Sequence, residues 1–536
     1  MAPALYHDGL HAIAWHPMRL STASLSAFLL VTASCSGSEV PRTEESEAPS
    51  ELSEVPPSIA PAALQTEARE TQVRDFYANI GWTPIWSPRA EQALTAALEK
   101  RAGHGLDRVQ FLPDLSKLSA AAREIALSRA ALDFAGALAH GVVDPAKLHR
   151  IYSIPRPEVD LAPGMVTAVR AGRVDAWLDS LAPGTPEYAE LAKAYLQQQK
   201  MALQESSAEI ASGDLIHPGD RDPRIPQIVT ALGENRYLAM PVTTEVSPPQ
   251  AADGTLYSAD IVTAVKAFQH DYDISDDGVI GADTLAILNV RPGDRARSIA
   301  VAMERLRWLT REPPATRIDV NTAAAELSYF RDGKLVDQRN VVVGKPGKET
   351  PQISTSMFRL VANPTWTVPK SIQRGELAGK SAAYFRRNNM SWRNGWIVQG
   401  SGPRNSLGLV KFDLQNSLSI YLHDTPAKSL FDKHQRQLSH GCVRVSDALG
   451  FAQMLAEQQD IADQWSKARA TGKIAFVKLP EAIPVRLLYR TVYVSQANQV
   501  TYRTDPYGWN VAVAEALGFG KDAGKQFRSE VDDIGP

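Results

Sequence analysis

The spacing of hydrophobic and polar positions changes along the chain. From about residue 73 to residue 200, Ala- and Leu-rich stretches such as AAREIALSRAALDFAGALAHG repeat their apolar positions at helical spacing. Beyond Arg317 the apolar positions alternate, and RIDVNT, ELSYFRDGKLVDQRNVVVG and FRLVANPTWTV are typical of strands. Asp332 and Gly333 predict a hairpin turn in the second of these segments. The pattern therefore predicts a helical region followed by a mainly β domain.

Shorter helical segments lie between these regions. SADIVTAVKAFQHDY has Ser258 at a capping position and places Ile261, Val265 and Phe268 on one helical face. DISDDGVIGADTLAILN follows with a glycine-containing loop and another helix. SIAVAMERLRWL, residues 298–309, is predicted to form a helix that links this unit to the β domain.

Composition is typical of a soluble globular chain. It is 44% apolar and 22% charged with a formal charge of -3, so there are too few basic residues to indicate nucleic-acid binding. Residues 36–66 are rich in Ser, Glu and Pro with hardly an aromatic residue, which predicts a disordered tether.

Residues 1–35 have the features of an export signal. MRLSTASLSAFLLVTASC begins at Met18, the expected true start, and combines Arg19 with a short apolar run and small residues before Cys35. The run is too short for a secure membrane span. Two alternatives stay open for Cys35: it is the lipid-modified first residue of a lipoprotein, or it lies near an ordinary signal-peptidase site.

Cys442 is the second of only two cysteines, and it has no partner once Cys35 belongs to the export segment. Exported proteins normally pair their thiols or lack them, so an unpaired cysteine indicates nucleophilic chemistry. The alternative is an inert core cysteine. A zinc site of Cys442, His440, His434 and His423 matches no structural zinc spacing, and no H-E-x-x-H or C-x-x-C motif is present.

The neighbouring segments supply what a thiol needs for acyl transfer: a base, N–H donors for the carbonyl oxygen, and access. SLSIYLHDTP alternates and predicts a half-buried strand over 418–423 that ends at His423, just before the turn 424–426. Gly441 permits a positive φ, so that consecutive N–H groups point at one spot. Ser446 is predicted to cap the helix DALGFAQMLAEQ that follows Cys442.

HDTP and SHGCVRV closely resemble the signature of the L,D-transpeptidases, the cysteine enzymes that cross-link bacterial peptidoglycan. VVVGKPGKETP, NPTWTVP, GPRNSLGLVKF and RTDPYG resemble segments of the large periplasmic members, so the resemblance covers roughly 310–510. It implies that Cys442 is the nucleophile, His423 the general base and the backbone carbonyl of Asp424 the group that orients the imidazole. His440 and Gly441 complete the implied catalytic set.

The resemblance also implies a substrate site and a cellular setting. The residues expected to contact substrate are Tyr421, Arg444, Ser439, Asn405 and Trp366. Whether Arg444 binds substrate or only holds the loop stays open. The implied partners are donor and acceptor stem peptides of the cell wall, with no metal, cofactor or nucleic acid and a monomeric protein. The implied location is the periplasm of a Gram-negative bacterium, with a lipid anchor at Cys35 as one alternative.

The pattern D-G-x-x-G-x-x-T at Asp277, Gly278, Gly281 and Thr284 resembles the three-helix peptidoglycan-binding module. The expected fold is a multidomain α+β chain. Its predicted segments are an export signal at 1–35, the tether at 36–66, a helical scaffold at 67–224, the peptidoglycan-binding module at 225–292, a linker helix at 293–312 and a mainly β catalytic domain at 313–536.

Residues 370–404 interrupt the strand pattern with a long segment that lacks alternation but contains aromatic and basic residues. A long insertion of this kind predicts a functional lid, and its aromatic residues argue against disorder. We expect a small, partly helical cap over Cys442, with Trp392 and Trp396 in its interior. The residues expected to meet stem carboxylates are Lys370, Arg374, Arg386, Arg387 and Arg393. The alternative is a mobile surface loop with solvated charges.

The predicted activity is that of a peptidoglycan L,D-transpeptidase, inhibited by carbapenem-type β-lactams, which forms cross-links through a cysteine thioester. In the expected mechanism, a Cys442 thiolate paired with protonated His423 attacks the L-centre carbonyl before a terminal D-residue, and N–H groups around Gly441 and Cys442 hold the oxyanion. The alternatives are a thiol L,D-carboxypeptidase or endopeptidase, which would use water as acceptor, and transfer of a lipoprotein onto the wall.

Overall fold

The computed structural model describes residues 54–204, 208–235, 237–238, 254–272 and 274–520. The predicted export signal with Met18 and Cys35, and the tether as far as residue 53, lie outside these residues. Within them, no helix combines the length and the apolar character needed to span a membrane.

Eight helices precede residue 205 in the described part of the chain. They are α1 (Pro61–Glu67), α2 (Thr71–Asn79), α3 (Pro88–Glu99), α4 (Ala120–His140), α5 (Pro145–Leu148), α6 (Leu161–Arg170), α7 (Val174–Leu181) and α8 (Pro186–Ala202). The side chains of Ser87, Ser119 and Thr185 accept N–H groups at the starts of α3, α4 and α8, as N-caps do. The Ala-rich α4 is buried along most of its length, which allows the other helices to pack closely around it.

The helical core extends beyond this region. It includes α12 (Pro292–Arg307), which corresponds to the predicted linker helix, and α17 (Asn510–Ala516) near the end of the described chain. A fully buried ion pair joins Arg307 to Glu304 at 2.7 Å, and Arg307 also donates to the carbonyl of His104 at 2.9 Å. The connecting helix is therefore part of the scaffold core. The predicted tether was too long, because α1 lies inside it and buries Leu64 completely.

Three helices form the predicted peptidoglycan-binding module: α9 (Ile225–Glu234), α10 (Ala259–Asp271) and α11 (Ala282–Leu288). Val265 and Phe268 of α10 are fully buried in the core of this module, as their helical spacing predicted. Gly278 has a φ of +79°, and its N–H donates to the side chain of Gln269 at 2.9 Å. The D-G pair is thus a tight turn that is held by the preceding helix.

The catalytic region is a closed sheet. The strands concerned are β1 (Tyr152–Ser153), β2 (Arg317–Asn321), β3 (Glu326–Arg331), β4 (Lys334–Gly344), β5 (Gln352–Ala362), β9 (Val410–Leu414), β10 (Leu422–His423), β11 (Gln437–Ser439), β12 (Val443–Val445) and β13 (Ala475–Leu488). Their order is β1-β5-β13-β2-β3-β4-β12-β10-β9, β11 pairs with β4, and pairing of β5 with β9 closes the ring. Helices α15 (Ala448–Gln458) and α16 (Ala462–Ala470) cover it, and bury Phe451 and Trp465 in its core. A separate hairpin, β14 (Val492–Val494) with β15 (Val500–Tyr502), follows.

The expected hairpin turn is confirmed. Asp332 and Gly333 connect β3 directly to β4, with φ angles of 51° and 78°. Positive φ at both central residues is the property of a type I′ turn, whose twist matches that of the flanking strands. A local sequence signal therefore set the register of these two strands.

Two local predictions were wrong. The strand expected over 418–423 contains only Leu422 and His423, because Ser419 has a φ of 58° and the Asn416 side chain closes a turn by accepting from the Ile420 N–H at 3.1 Å. Helix α15 is capped by Asp447, whose side chain accepts from Gly450. Ser446 is unavailable as the cap because its N–H still donates to β4, at 3.0 Å.

The insertion at 370–404 folds with flanking residues into a separate small unit, called the cap below. It contains β6 (Trp366–Thr367), α13 (Lys370–Arg374), α14 (Ala382–Arg387), β7 (Met390–Arg393) and β8 (Trp396–Gln399), with strand order β6-β8-β7. Its interior consists of Trp366, Val368, Ile372, Leu377, Met390, Ile397 and Leu407.

The prediction that two further tryptophans fill the cap was wrong. Trp392 and Trp396 are 63% and 39% exposed. They flank the turn of the β7–β8 hairpin, beyond the aliphatic interior, and the Lys370 ammonium lies 4.2 Å from the Trp396 ring centre. Aliphatic residues closer to the base of the hairpin supply the buried apolar surface instead.

Candidate active site

Backbone pairing brings the candidate nucleophile and base together. Strands β10 and β12 are parallel, with Leu422 opposite Val443 and His423 opposite Arg444. The Val443 N–H donates to the carbonyl of Tyr421 at 3.2 Å, which continues the pairing toward Cys442. Leu422 and Val443 are completely buried, so both strands are anchored in the core of the closed sheet.

His423 is buried and held through one ring nitrogen. Its Nδ1 lies 2.5 Å from the carbonyl oxygen of Asp424. Since a carbonyl only accepts, Nδ1 carries the hydrogen and Nε2 is left as the acceptor of the neutral ring. Burial, followed by the charge of Arg444, lowers the pKa of His423 to about 3, although the Asp424 carbonyl acts in the opposite direction. The imidazole is therefore neutral at neutral pH.

Cys442 is half-buried, and its Sγ lies 3.8 Å from the carbonyl oxygen of Ser419. Burial raises the pKa of the thiol, while hydrogen bonding from Tyr421 and the charges of Lys411 and Arg444 lower it. The raised thiol pKa and the lowered histidine pKa both disfavour the expected thiolate–imidazolium pair.

Ser439 shapes the loop that carries Cys442. Its hydroxyl accepts from the Gly441 N–H at 3.1 Å and donates to the Cys442 carbonyl at 2.6 Å. The side chain is buried and both of these contacts are internal, so Ser439 supports the loop and does not face substrate. Gly441 has the expected positive φ, +115°, but its N–H is already occupied.

Asn405 is also occupied by the protein itself. The residue is 2% exposed. Its amide nitrogen donates to three backbone carbonyls, of which that of Gly400 is nearest at 2.8 Å. Its amide oxygen accepts from the Leu407 N–H at 2.8 Å. Asn405 thus organises the base of the cap, and the expected substrate contact stays a prediction.

The carboxylate of Asp424 has a similar supporting role. It accepts from the Leu409 N–H at 2.9 Å and forms an ion pair with Lys428. A Cβ at Gly408, where φ is +60°, would lie only 2.2 Å from this carboxylate. The glycine is thus needed for the close approach of the 402–412 segment to the residue that also orients His423.

Tyr421 connects the cap to the nucleophile. Its ring centre is 5.6 Å from that of His423, and it packs against the cap interior. Burial, followed by the nearby Cys442, raises the pKa of the Tyr421 hydroxyl, whereas hydrogen bonding from Trp366 lowers it. Tyr421 and Trp366 therefore both lie close to Cys442, although Trp366 is mostly buried within the cap.

Arg444 projects from the strand that follows Cys442. Its Nε is buried, and no hydrogen bond or ion pair is found for its guanidinium among the residues described. Burial lowers the pKa of Arg444, while Cys442 and Glu376 raise it. An unpaired guanidinium beside the nucleophile is free to meet an anionic group of a ligand.

His440 is joined to the cap. Its Nε2 forms an ion-pair contact with Glu376, which lies between α13 and α14. The other carboxylate oxygen of Glu376 is buried, with no hydrogen-bond partner in the described part of the chain. His434, by contrast, is half-buried in the loop after residue 432. In the described ranges, no group of three or more His, Cys, Asp or Glu side chains is arranged to hold a metal ion.

Two charged residues near the site were missed by the sequence reasoning. Lys411 lies opposite His423 on β9, and its ammonium is 4.4 Å from the ring centre of Tyr421. Glu376 belongs to a segment without periodicity. Lys411 lies on a different strand from His423, and the antiparallel pairing of β9 with β10 brings it beside His423.

Family models match three parts of the chain. Residues 315–467 match the YkuD L,D-transpeptidase catalytic domain. This part of the chain therefore resembles an L,D-transpeptidase catalytic domain. Residues 71–194 match a scaffold domain, and residues 226–288 match a peptidoglycan-binding domain. The recognition made from the sequence motifs is confirmed, and so is the multidomain fold class.

A Haemophilus influenzae protein provisionally named an L,D-transpeptidase is 30% identical over 221 residues, which is 36% of this chain and 44% of that protein. The match thus spans less than half of that relative. An L,D-transpeptidase from Mycobacterium smegmatis is 13% identical, covering 32% of this chain and 58% of its own, with a TM-score of 0.19. An L,D-transpeptidase from Xylanimonas cellulosilytica is 16% identical, covering 52% of this chain and 98% of its own, with a TM-score of 0.18. At these TM-scores the superpositions add nothing to the fold description.

Proposed function

We propose that this protein is a peptidoglycan L,D-transpeptidase that transfers a donor stem peptide to an acceptor amine through a thioester on Cys442. The observation that carries the proposal is that the strand ending at His423 pairs in parallel with the strand that begins at Val443, directly after Cys442. His423 Nδ1 is tied to the Asp424 carbonyl, so Nε2 is the atom available for proton transfer. The matched catalytic domain gives the chemistry its class.

The first step starts from a neutral thiol and a neutral imidazole. As Sγ of Cys442 bonds to the L-centre carbonyl carbon, its proton passes to Nε2 of His423, and the carbonyl oxygen becomes an oxyanion. The tetrahedral species then collapses and breaks the amide bond to the terminal D-residue. His423 returns the proton to the departing amine, which leaves a thioester on Cys442 and a neutral imidazole.

The second step uses an amine of a neighbouring stem, such as the side-chain amine of diaminopimelate. His423 accepts a proton from the attacking amine, a new amide bond forms, and the thiol leaves with that proton. Sequestration of the thioester from water favours the amine as acceptor. The contact between the cap residue Glu376 and His440 in the nucleophile loop supports such sequestration.

Arg444 is the proposed receptor of a stem carboxylate. Its unpaired guanidinium lies on the strand that leaves Cys442, where it can hold a terminal carboxylate close to the scissile amide. Tyr421 and Trp366 are proposed to line the same approach. His440 is proposed to contact the acceptor or hold the cap, because its ring reaches Glu376.

The proposed setting is the periplasmic cell wall, and the matched peptidoglycan-binding module supports this location. The same proposal includes an anchor at Cys35, a Gram-negative host, the expected domain boundaries and a monomeric state.

The test is incubation of the purified protein with disaccharide tetrapeptide muropeptides, with products and intact protein analysed by mass. The expected result is cross-linked dimers and an acyl adduct on Cys442 that is lost in Cys442→Ala. Tripeptide products without dimers would instead identify a thiol carboxypeptidase. Addition of a lipoprotein C-terminal peptide tests the remaining alternative, in which the acceptor is a lipoprotein.

A further inference from the structure

We propose that Thr350 is a positioning residue that orients the peptide between Gly441 and Cys442, so that the Cys442 N–H stabilises the oxyanion. This inference rests on the proposed acyl transfer. Thr350 lies outside the nucleophile loop, in the turn between β4 and β5, and it is separated from Gly441 by 91 residues in sequence.

The Thr350 hydroxyl is completely buried and has a defined hydrogen-bond direction. Its Oγ1 donates to the carbonyl oxygen of Gly441 at 2.8 Å and accepts from the N–H of Gly344 at 2.8 Å. A carbonyl can only accept and a backbone N–H can only donate, so the hydroxyl hydrogen has a single position. Thr350 therefore holds the Gly441 carbonyl on the inner side of the loop.

The orientation of that carbonyl decides where the next N–H points. A trans peptide is planar, and its C=O and N–H point in opposite directions. With the Gly441 oxygen held against Thr350, the Cys442 N–H must point away from Thr350. This N–H has no hydrogen-bond partner within the part of the chain that the structure describes. It is available for a ligand oxygen, whereas the Gly441 N–H is taken by Ser439.

The peptide needs an external restraint because Gly441 precedes it. Glycine lacks a Cβ and restricts its backbone dihedrals little, so the peptide unit could rotate about ψ of Gly441 and φ of Cys442 at small cost if the Thr350 bond were absent. Rotation would turn the free N–H of Cys442 away from the oxyanion. Loss of one such donor typically costs about 10²- to 10³-fold in kcat.

Thr350 is itself braced by a distant segment. The Tyr507 hydroxyl donates to the Gly344 carbonyl at 2.6 Å and accepts from the Thr350 N–H at 3.5 Å. A Cβ at Gly344 would lie 2.1 Å from the carbonyl oxygen of Lys348, so the turn 345–350 packs tightly against the strand end. The hydroxyl of Thr350 is thus presented to Gly441 by a rigid turn.

The test compares Thr350→Val, which removes the hydroxyl at constant shape, with Thr350→Ser, which keeps it. Three rates are measured on each full-length protein: acylation of Cys442 by a penem β-lactam, acylation of Cys442 by muropeptides, and alkylation of Cys442 by iodoacetamide. Acylation passes through an oxyanion, whereas alkylation does not. We expect Thr350→Val to lower both acylation rates by about 10²-fold and to leave alkylation within about twofold of wild type. Thr350→Ser should retain acylation.

Acylation of Thr350→Val at the wild-type rate would overturn the inference, as would an equal loss of acylation and alkylation. If Thr350→Val does not fold, Tyr507→Phe replaces it and must show a selective, smaller loss of acylation; a uniform loss or none overturns the inference. Failure of the wild-type protein to form an acyl adduct on Cys442 would instead refute the proposed function.

Discussion

The strand pair β10–β12 and the cap both adjoin the loop that carries Cys442, and different interactions hold them in place. The strand pair is fixed by backbone hydrogen bonds on both sides and by completely buried Leu422 and Val443. The cap has its own small sheet, carries exposed tryptophans, and reaches the nucleophile loop through Glu376 and His440. His423 thus lies on the strand pair and Cys442 directly before it, while the cap is held to the nucleophile loop by side-chain contacts.

The largest expected effect is that of Cys442→Ala. The variant should lose acyl transfer and penem labelling completely, because no other thiol is described in the protein. Intact mass after penem treatment and muropeptide analysis are the measurements. Cys35→Ala is the matched control and should change only lipidation or export. Full activity in the Cys442 variant would end the proposal of a cysteine nucleophile.

Removal of the cap tests whether the two regions are separable. Replacement of residues 371–400 by a glycine bridge should leave the closed sheet folded and Cys442 reactive toward iodoacetamide. Muropeptide turnover should fall by at least about 10²-fold, since loss of substrate positioning alone can cost that much. Circular dichroism, alkylation rate and turnover are measured together. Wild-type cross-linking by the deletion variant would show that the cap is not a lid.

Substitution of three histidines compares the effect on activity of a residue in the strand pair, His423, with that of two loop residues, His434 and His440. His423→Ala should lower kcat/KM by about 10²- to 10⁴-fold, the usual cost of losing a general base. His434→Ala, in the half-buried loop, should have little effect, and His440→Ala should lie between the two because its ring contacts the cap. Equal, small effects of His423→Ala and His434→Ala would contradict the assignment of the base.

The pH dependence of thiol reactivity tests the neutral ground state. Burial raises the pKa of Cys442 above the ordinary cysteine value of about 8.5. Since only the thiolate is alkylated, the rate of alkylation by iodoacetamide should rise about tenfold per pH unit until the pH reaches the raised pKa of Cys442. The rate should not level off near neutral pH. A plateau between pH 6 and 8 would instead indicate a stable thiolate–imidazolium pair.

The smallest expected effect is at Glu376, where the cap meets the loop. Glu376→Gln removes the charge that pairs with His440 but keeps the side-chain size. A partly exposed ion pair is worth about 0–1 kcal/mol, so kcat/KM should fall by no more than about fivefold. Steady-state kinetics with muropeptides measure the loss, and Glu481→Gln, at an exposed position of β13, is the control. A loss as large as that of His423→Ala would show that Glu376 takes part in the chemistry.

Much of the fold was predicted correctly from local sequence signals. The periodicity separated helical from β regions, and the Asp332–Gly333 pair predicted a turn that the structure contains. The motif around Cys442 and His423 identified the catalytic domain. These signals depend on backbone preferences and on which face of an element is apolar, so they are visible in a short window of sequence.

Local signals failed where longer-range contacts decided the outcome. The alternation of 418–423 suggested a full strand, but only Leu422 and His423 have partners in the sheet. Trp392 and Trp396 were expected inside the cap because tryptophan is usually buried, yet the aliphatic residues nearer its base fill that space. Ser439 and Asn405 looked available to substrate, but neighbouring backbone groups occupy their polar atoms.

The sequence by itself determined the elements, the nucleophile and its candidate base, because composition, period and motif are properties of neighbouring residues. Only the tertiary structure decided that Thr350 meets Gly441, that Glu376 meets His440 and that Lys411 lies beside His423. It also decided the directions in which the pKa values of Cys442 and His423 are shifted, since burial is the largest cause of both shifts. Burial is created by closure of the sheet around residues far apart in the chain, and no short segment of sequence contains it.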